Sequence, residues 1–198
     1  MLTMSRWEPN TRERLERAAV ALFAEHGYDA TTVAGIADRA GLTKSTFFRH
    51  FADKREVLFG GQDWLAESFA EAIRSAPPGA STTECLAAVL ATAAPLFTPE
   101  RQDLAVQRQL AIGANSDLRE RQLLKRAMLT SAVTDALLDR GADGTTARLA
   151  AEMGILAFGT GFALWAEPGN QRPYLEIAHE ALADLRACAA RLGTDTPG

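Results

Sequence analysis

Between Thr32 and Lys54 the chain gathers hydroxyl and cationic side chains: Thr32, Thr43, Lys44, Ser45, Thr46, Arg49, His50 and Lys54. Short hydroxyls, ammonium and guanidinium groups on one small face suit hydrogen bonding to phosphate oxygens and base edges of a nucleic acid. Nothing comparable suggests catalysis. The histidines His26, His50 and His179 are scattered, and neither metal-ligand spacing, a phosphate loop, a nucleophile elbow nor a paired acid set emerges. Cys85 and Cys188 stand far apart outside any CxxC or Cys/His cluster, and read as reduced packing residues. The expectation is a protein that is not an enzyme and carries no cofactor and no metal.

The whole chain bounds this further. Its 198 residues can bury a substantial core, and 47% hydrophobic with 23% charged residues is ordinary globular composition. No apolar run approaches the roughly 18 to 20 residues of a membrane span, and the opening MLTMSRWEPN lacks the apolar stretch of a signal peptide, so a cytoplasmic protein is expected. The formal charge of -4 argues against indiscriminate nucleic-acid coating. Residues 1–60 carry nine Lys and Arg against eight Asp and Glu, whereas the remainder carries twelve against seventeen. Basicity is concentrated toward the N-terminus, though a solvated surface of uneven charge would read the same way.

The elements that must position these side chains are helices. Asn10 with Glu13 fits a capping box, and Leu15, Ala18, Ala19, Leu22 and Phe23 follow at helical spacing until Gly27. Thr32 caps a second helix carrying Val33, Ile36, Ala37 and Ala40, which Gly41 breaks, and Thr43 caps a third, KSTFFRHF. Asp53 and Glu56 start a long fourth helix that ends at Pro77-Pro78-Gly79. Ser81 with Glu84 opens the next, which Pro95 kinks or ends; Thr98-Pro99 opens another, running to about Gly113. Helices over about Ser116 to Arg140 and Thr145 to Ala166, and one from near Pro173, complete an all-α chain of about nine helices. No segment alternates as a strand would.

The second and third helices, joined at Ala40-Gly41-Leu42, make a helix-turn-helix whose second helix can enter the major groove. Ile36, Phe47 and Phe51 would knit it together from inside, leaving Lys44, Ser45, Thr46, Arg49 and His50 outward. The run TTVAGIADRAGLTKSTFFRHFADKREVLF resembles the N-terminal signature of the TetR family of one-component regulators over roughly 45 residues. Phe48 departs from that pattern, standing where the family commonly has tyrosine. A phosphate-binding hydroxyl is thereby lost, although the ring could pack on the sugar backbone or a thymine methyl. The resemblance implies that Thr32, Thr43, His50 and Lys54 bond phosphates, and it makes Lys44, Ser45 and Arg49 candidates for base reading, Arg being able to pair bidentately with guanine. Each has a plain alternative: the threonines as caps, Lys54 and Arg49 as surface charge. Arg6, Arg12, Arg14 and Arg17 could approach phosphates too, or form a solvated face with Glu8, Glu13 and Glu16.

The expected division is a helix-turn-helix domain over 1–58 and an effector-binding and dimerisation domain over 59–198. One short recognition helix reads few base pairs, so a homodimer on double-stranded operator DNA is expected. Leu175, Ala178, Leu182, Leu185, Ala189 and Leu192 form one stripe, and Ala150, Gly154, Ala157 and Gly161 a small-residue track. The resemblance implies that these helices pair between subunits as a four-helix bundle; the alternative is that either stripe faces its own core. A small-molecule effector is implied by the resemblance, with Trp64, Phe69, Phe97, Met128, Phe158, Phe162 and Trp165 as candidate apolar lining and Gln107, Gln109 or Asn115 as orienting groups. Plain core packing is the alternative for each aromatic. Gly60 and Gly61 mark a bendable segment between head and body. The function implied is a ligand-released repressor on a palindromic operator, with a transcriptional activator or a scaffold that retains an unused head as alternatives.

Overall fold

The computed structural model describes residues 11–59 and 62–192, with the backbone alone for residues 62 and 63. Asn10, Arg6 and the Gly60-Gly61 pair lie outside the described residues. Ten α-helices follow one another: α1 (Thr11–His26), α2 (Val33–Arg39), α3 (Lys44–His50), α4 (Glu56–Phe59), α5 (Gln62–Arg74), α6 (Thr82–Ala93), α7 (Pro99–Ala114), α8 (Ser116–Asp139), α9 (Gly144–Trp165) and α10 (Tyr174–Leu192). No strand occurs among the described residues, so the chain is all-α. The long helix expected to start at Asp53 is represented by α4 and α5.

The caps explain the boundaries. Ser81 and Glu84 form a complete capping box at α6, and the Asp143 carboxylate accepts from the Thr145 and Thr146 amides at α9. Pro95, which cannot donate to a preceding carbonyl, ends α6 in a single 3-10 turn over Ala94–Leu96. Asn115, expected as a ligand group, is instead a cap: its side-chain oxygen accepts from the Asp117 and Leu118 amides at 3.0 and 3.2 Å.

Two compact units result. One comprises residues up to Gly60 together with Gln107–Gln122, the other Gly61–Val106 with Leu123–Gly198. The sequence-based boundary at residue 58 does not anticipate that residues 107–122 fall with the N-terminal unit. Local chemistry shows why they do: the Arg121 guanidinium pairs with the Glu56 carboxylate at 2.5 Å, and Arg108 lies 5.7 Å over the Phe59 ring. Both are long-range contacts that no local pattern encodes.

The second unit is built on α9. This helix is long and apolar enough to cross a membrane by length and composition, and it packs here against α6 and α10. Ala147, Ala151, Ile155 and Ala157 are buried along it. Close approach has a specific cause: an added Cβ on Gly161 would sit 2.7 Å from the Ala178 Cβ and 2.9 Å from its Cα, and one on Gly154 would meet Leu86 Cδ2 at 2.7 Å. The track Ala150, Gly154, Ala157 and Gly161 therefore faces its own chain, and its assignment to a subunit interface is corrected accordingly. Ala178 and Leu182 are buried with it, and half-buried Leu175 packs on the same core. Arg140 ties α8 to the end of α5 by donating to the Ala76 and Pro77 carbonyls, each at 2.8 Å.

Candidate nucleic-acid interface

The helix-turn-helix is organised from its inner face. Ile36 and Phe47 are fully buried and Phe51 nearly so. Gly41 takes φ +66, a left-handed conformation that a side chain would resist, and this lets its amide close on Asp38 O while the Leu42 amide closes on Ala37 O. Arg14 pins the turn from α1, its Nη2 donating to Ala40 O at 2.6 Å. Arg14 is thus a structural fastener, not a member of a phosphate-facing row. Arg12 and Arg17 pair with Glu16 and Glu13 one turn away, and Arg39 forks onto both oxygens of Glu25 at 2.6 Å. The Glu25 carboxyl is held below its usual value chiefly by that hydrogen bond from Arg39.

Thr32 and Thr43 occupy their expected helix starts, accepting from the Gly35 and Thr46 amides at 3.1 Å each. Thr43 also shares a 3.0 Å hydroxyl contact with Thr46. Lys54 departs from expectation. Its Nζ donates to Tyr28 O at 2.7 Å and Thr31 O at 3.0 Å and lies 4.1 Å over the Tyr28 ring, so the expected phosphate clamp is occupied in fastening the α1–α2 connection. Burial pushes the Tyr28 phenol up to about 12, opposed by the Arg55 charge.

The outer face of α3 presents exposed Lys44, Ser45, Phe48 and Arg49, with Thr46 and His50 half-buried at its margins. Arg49 donates a long 3.5 Å contact to Thr46 Oγ1. Among the described residues neither Lys44 nor Arg49 is paired with a carboxylate. That separates them from Arg12, Arg17, Arg39 and Arg55, whose charges are met within the unit. Composition could not make this distinction, because it depends on which acids fold next to which bases.

In the second unit the aromatic candidates largely meet. Phe97 lies within 6.0 Å, centroid to centroid, of Phe158, Phe162, Trp165 and Tyr174, and buried Phe69 abuts Phe158 at 5.5 Å. Tyr174 was missed by sequence reasoning. It is buried, its hydroxyl lacks a hydrogen-bond partner among the described residues, and burial drives its phenol well up. Gln102 was also missed; its amide donates to Trp165 O at 2.7 Å and Asn170 O at 3.0 Å. Trp64, 58% exposed, and exposed Met128 do not join the nest. Gln107 is exposed and belongs to the first unit, as does Gln109, which accepts from Gln122 at 3.5 Å. Outside the core, Leu149, Leu156 and Leu164 on α9 are exposed, and a groove of about 380 Å³ lined by Leu156, Thr160, Leu164, Ile177, Ala181 and Leu185 runs between α9 and α10. Farther along α10, Ala189 and Leu192 are exposed.

Residues 16–59 match the profile described as bacterial regulatory proteins, tetR family. The HTH-type transcriptional regulator TcmR of Streptomyces glaucescens is 38% identical over 76 residues, 38% of this chain and 34% of that protein. The HTH-type transcriptional repressor KstR2 of Mycobacterium tuberculosis is 41% identical over 68 residues, 32% of this chain and 34% of its own. These matches thus span about a third of each relative's length. Among solved structures, FadR from Bacillus subtilis, a transcriptional regulator in complex with stearoyl-CoA, superposes with TM-score 0.61 at 22% identity, covering 87% of this chain and 96% of that one. The fatty acid degradation regulator FadR from Bacillus halodurans gives TM-score 0.55 at 22% identity over 91% and 96%. The fold is shared over most of the chain, and the sequence match is concentrated in the helix-turn-helix, where residues 16–59 are similar to the tetR family of bacterial regulatory proteins.

Proposed function

We propose that this chain is a cytoplasmic transcriptional regulator that binds a palindromic operator as a homodimer, acts there as a repressor, and is released by an apolar small molecule. The observation that carries DNA binding is the pair of exposed cations, Lys44 and Arg49, without carboxylate partners among the described residues, while Arg12, Arg17, Arg39 and Arg55 pair with acids and Arg14 is held by the Ala40 carbonyl. Presented with Ser45 and Thr46, they supply the donors that base edges and phosphates accept. Dimerisation is assigned to the outer faces of α9 and α10, where Leu156, Leu164 and Leu185 line the groove and Leu149 is exposed on α9, and not to the buried track. The effector reading rests on the aromatic nest around Phe97 and on the fold shared with FadR proteins crystallised with acyl-CoA, which makes long-chain acyl-CoA the first effector class to test.

The test is anisotropy titration of the full chain against duplex from its own upstream region. A palindromic site should be preferred over random duplex, and affinity should fall as salt rises, because neutralised phosphates release counterions. Lys44→Ala and Arg49→Ala should weaken binding. Equal affinity for random duplex, or none for either, would refute the regulator reading; wild-type affinity in both variants would refute the assignment to α3.

A further inference from the structure

Phe48 sits where no hydrogen-bonding chemistry explains it. The residues at 44, 45, 48 and 49 share one face of α3 by their i, i+4 spacing, and three of them are polar: Lys44, Ser45 and Arg49. In their midst stands a phenyl ring that is 49% exposed, while its neighbours Phe47 and Phe51 are buried inward. The ring is not loose. Its edge meets Phe47 in a T-shaped contact at 5.5 Å and 85°, and the Lys44 ammonium lies 5.9 Å from its centroid. A large apolar group is thus held outward at the centre of the face proposed above to meet DNA, and it can neither donate to a phosphate nor accept from a base.

The major-groove edges of the bases offer a phenyl ring one sequence-dependent apolar partner, the 5-methyl group of thymine. Cytosine lacks it, and both purines present polar edges there. Sugar carbons are apolar too, but they are the same at every position. We propose that Phe48 reads a thymine methyl in each half-site, with Lys44 and Arg49 on either side supplying the polar contacts, so that one thymine per half-site is specified by its methyl alone. This rests on the DNA-binding reading and adds to it a stated base and a stated atom group.

Deoxyuridine isolates the claim, because it removes the methyl and keeps every hydrogen-bonding group. Duplexes bound by the full-length protein are selected from a random pool, and each half-site thymine is replaced by deoxyuridine, one symmetric pair at a time. Burying one methyl corresponds to about a fourfold change in affinity, hence about fifteenfold for a pair of half-sites. The expected result is one thymine position showing that loss, abolished in Phe48→Ala and retained in Phe48→Leu, whose apolar side chain still reaches a methyl. Helical circular dichroism of both variants matching wild type confirms that folding is not what changed. Tolerance of uracil at every position, or a Phe48→Ala protein that still discriminates, overturns the inference while leaving DNA binding intact. Failure to enrich any sequence from the pool overturns the DNA-binding reading itself, and this inference with it.

Discussion

Replacing Gly161 with alanine tests the packing of α9 more sharply than any change at a leucine would. Alanine is intrinsically about 1 kcal/mol better than glycine inside a helix, so the substitution starts with a gain. Against this, the new methyl would lie 2.7 Å from the Ala178 Cβ, 2.9 Å from its Cα and 3.2 Å from its amide nitrogen. Those atoms cannot swing aside; α9 and α10 would have to separate, and overpacking of this kind costs about 1 to 3 kcal/mol. Because backbone atoms are the obstacle, the upper end of that cost applies, and the expected net is a loss of about 2 kcal/mol, which for a chain of this size lowers the melting temperature by about 4 to 8 °C. Gly154→Ala is the built-in control. Its methyl would also meet a neighbour at 2.7 Å, but that neighbour is the tip of the Leu86 side chain, which can rotate. Its stability should stay within about 1 kcal/mol of wild type, since the helix gain offsets the repacking. Thermal and guanidinium unfolding of the three proteins, at two chain concentrations tenfold apart, supply the readout. The Gly161→Ala loss should be the same at both concentrations, because the contact lies within one chain. A Gly161→Ala protein as stable as wild type, or one whose deficit vanishes at high concentration, would refute the close α9–α10 contact and return the track to a subunit interface.

Tyr174→Phe should raise stability by about 1 kcal/mol or more, because the buried hydroxyl costs desolvation without a partner; an equal loss measured by denaturant unfolding would show that the hydroxyl is satisfied in solution. Lys54→Met should destabilise the N-terminal unit by about 1 to 3 kcal/mol by stranding the Tyr28 and Thr31 carbonyls, yet leave the salt slope of DNA binding unchanged, whereas a slope reduced by about 1 would restore the phosphate clamp. Burial keeps Tyr28 neutral up to about 12 against an ordinary 10; a raised phenol stabilises the fold below its unfolded value and loses that contribution as pH climbs from 10 toward 12. Circular dichroism across that range should show an alkaline loss that Tyr28→Phe lacks; an identical profile in the variant would assign the loss elsewhere.

Much of this protein is local, and what is local was legible. Thr43 before KSTFF, Asp143 before Gly144 and the Ser81–Glu84 pair each close hydrogen bonds within three residues; such caps and the 3.6-residue periodicity locate helices without tertiary knowledge. The helix-turn-helix likewise depends on a left-handed Gly41 and inward Ile36, Phe47 and Phe51, all within sixteen residues. Tertiary structure decided which face of each helix is spent inside. Glycines at 154 and 161 permit close approach whether the approaching helix is the chain's own or another's, and only the fold placed Leu86 and Ala178 against them. Likewise, a cation carries the same charge in sequence whether or not an acid awaits it. Arg14 and Lys54 are committed to carbonyls 26 residues away, Arg121 to Glu56 across 65, while Lys44 and Arg49 are left to face outward. Pairing at such separation is a property of the packed chain, because only packing brings those groups within hydrogen-bond reach.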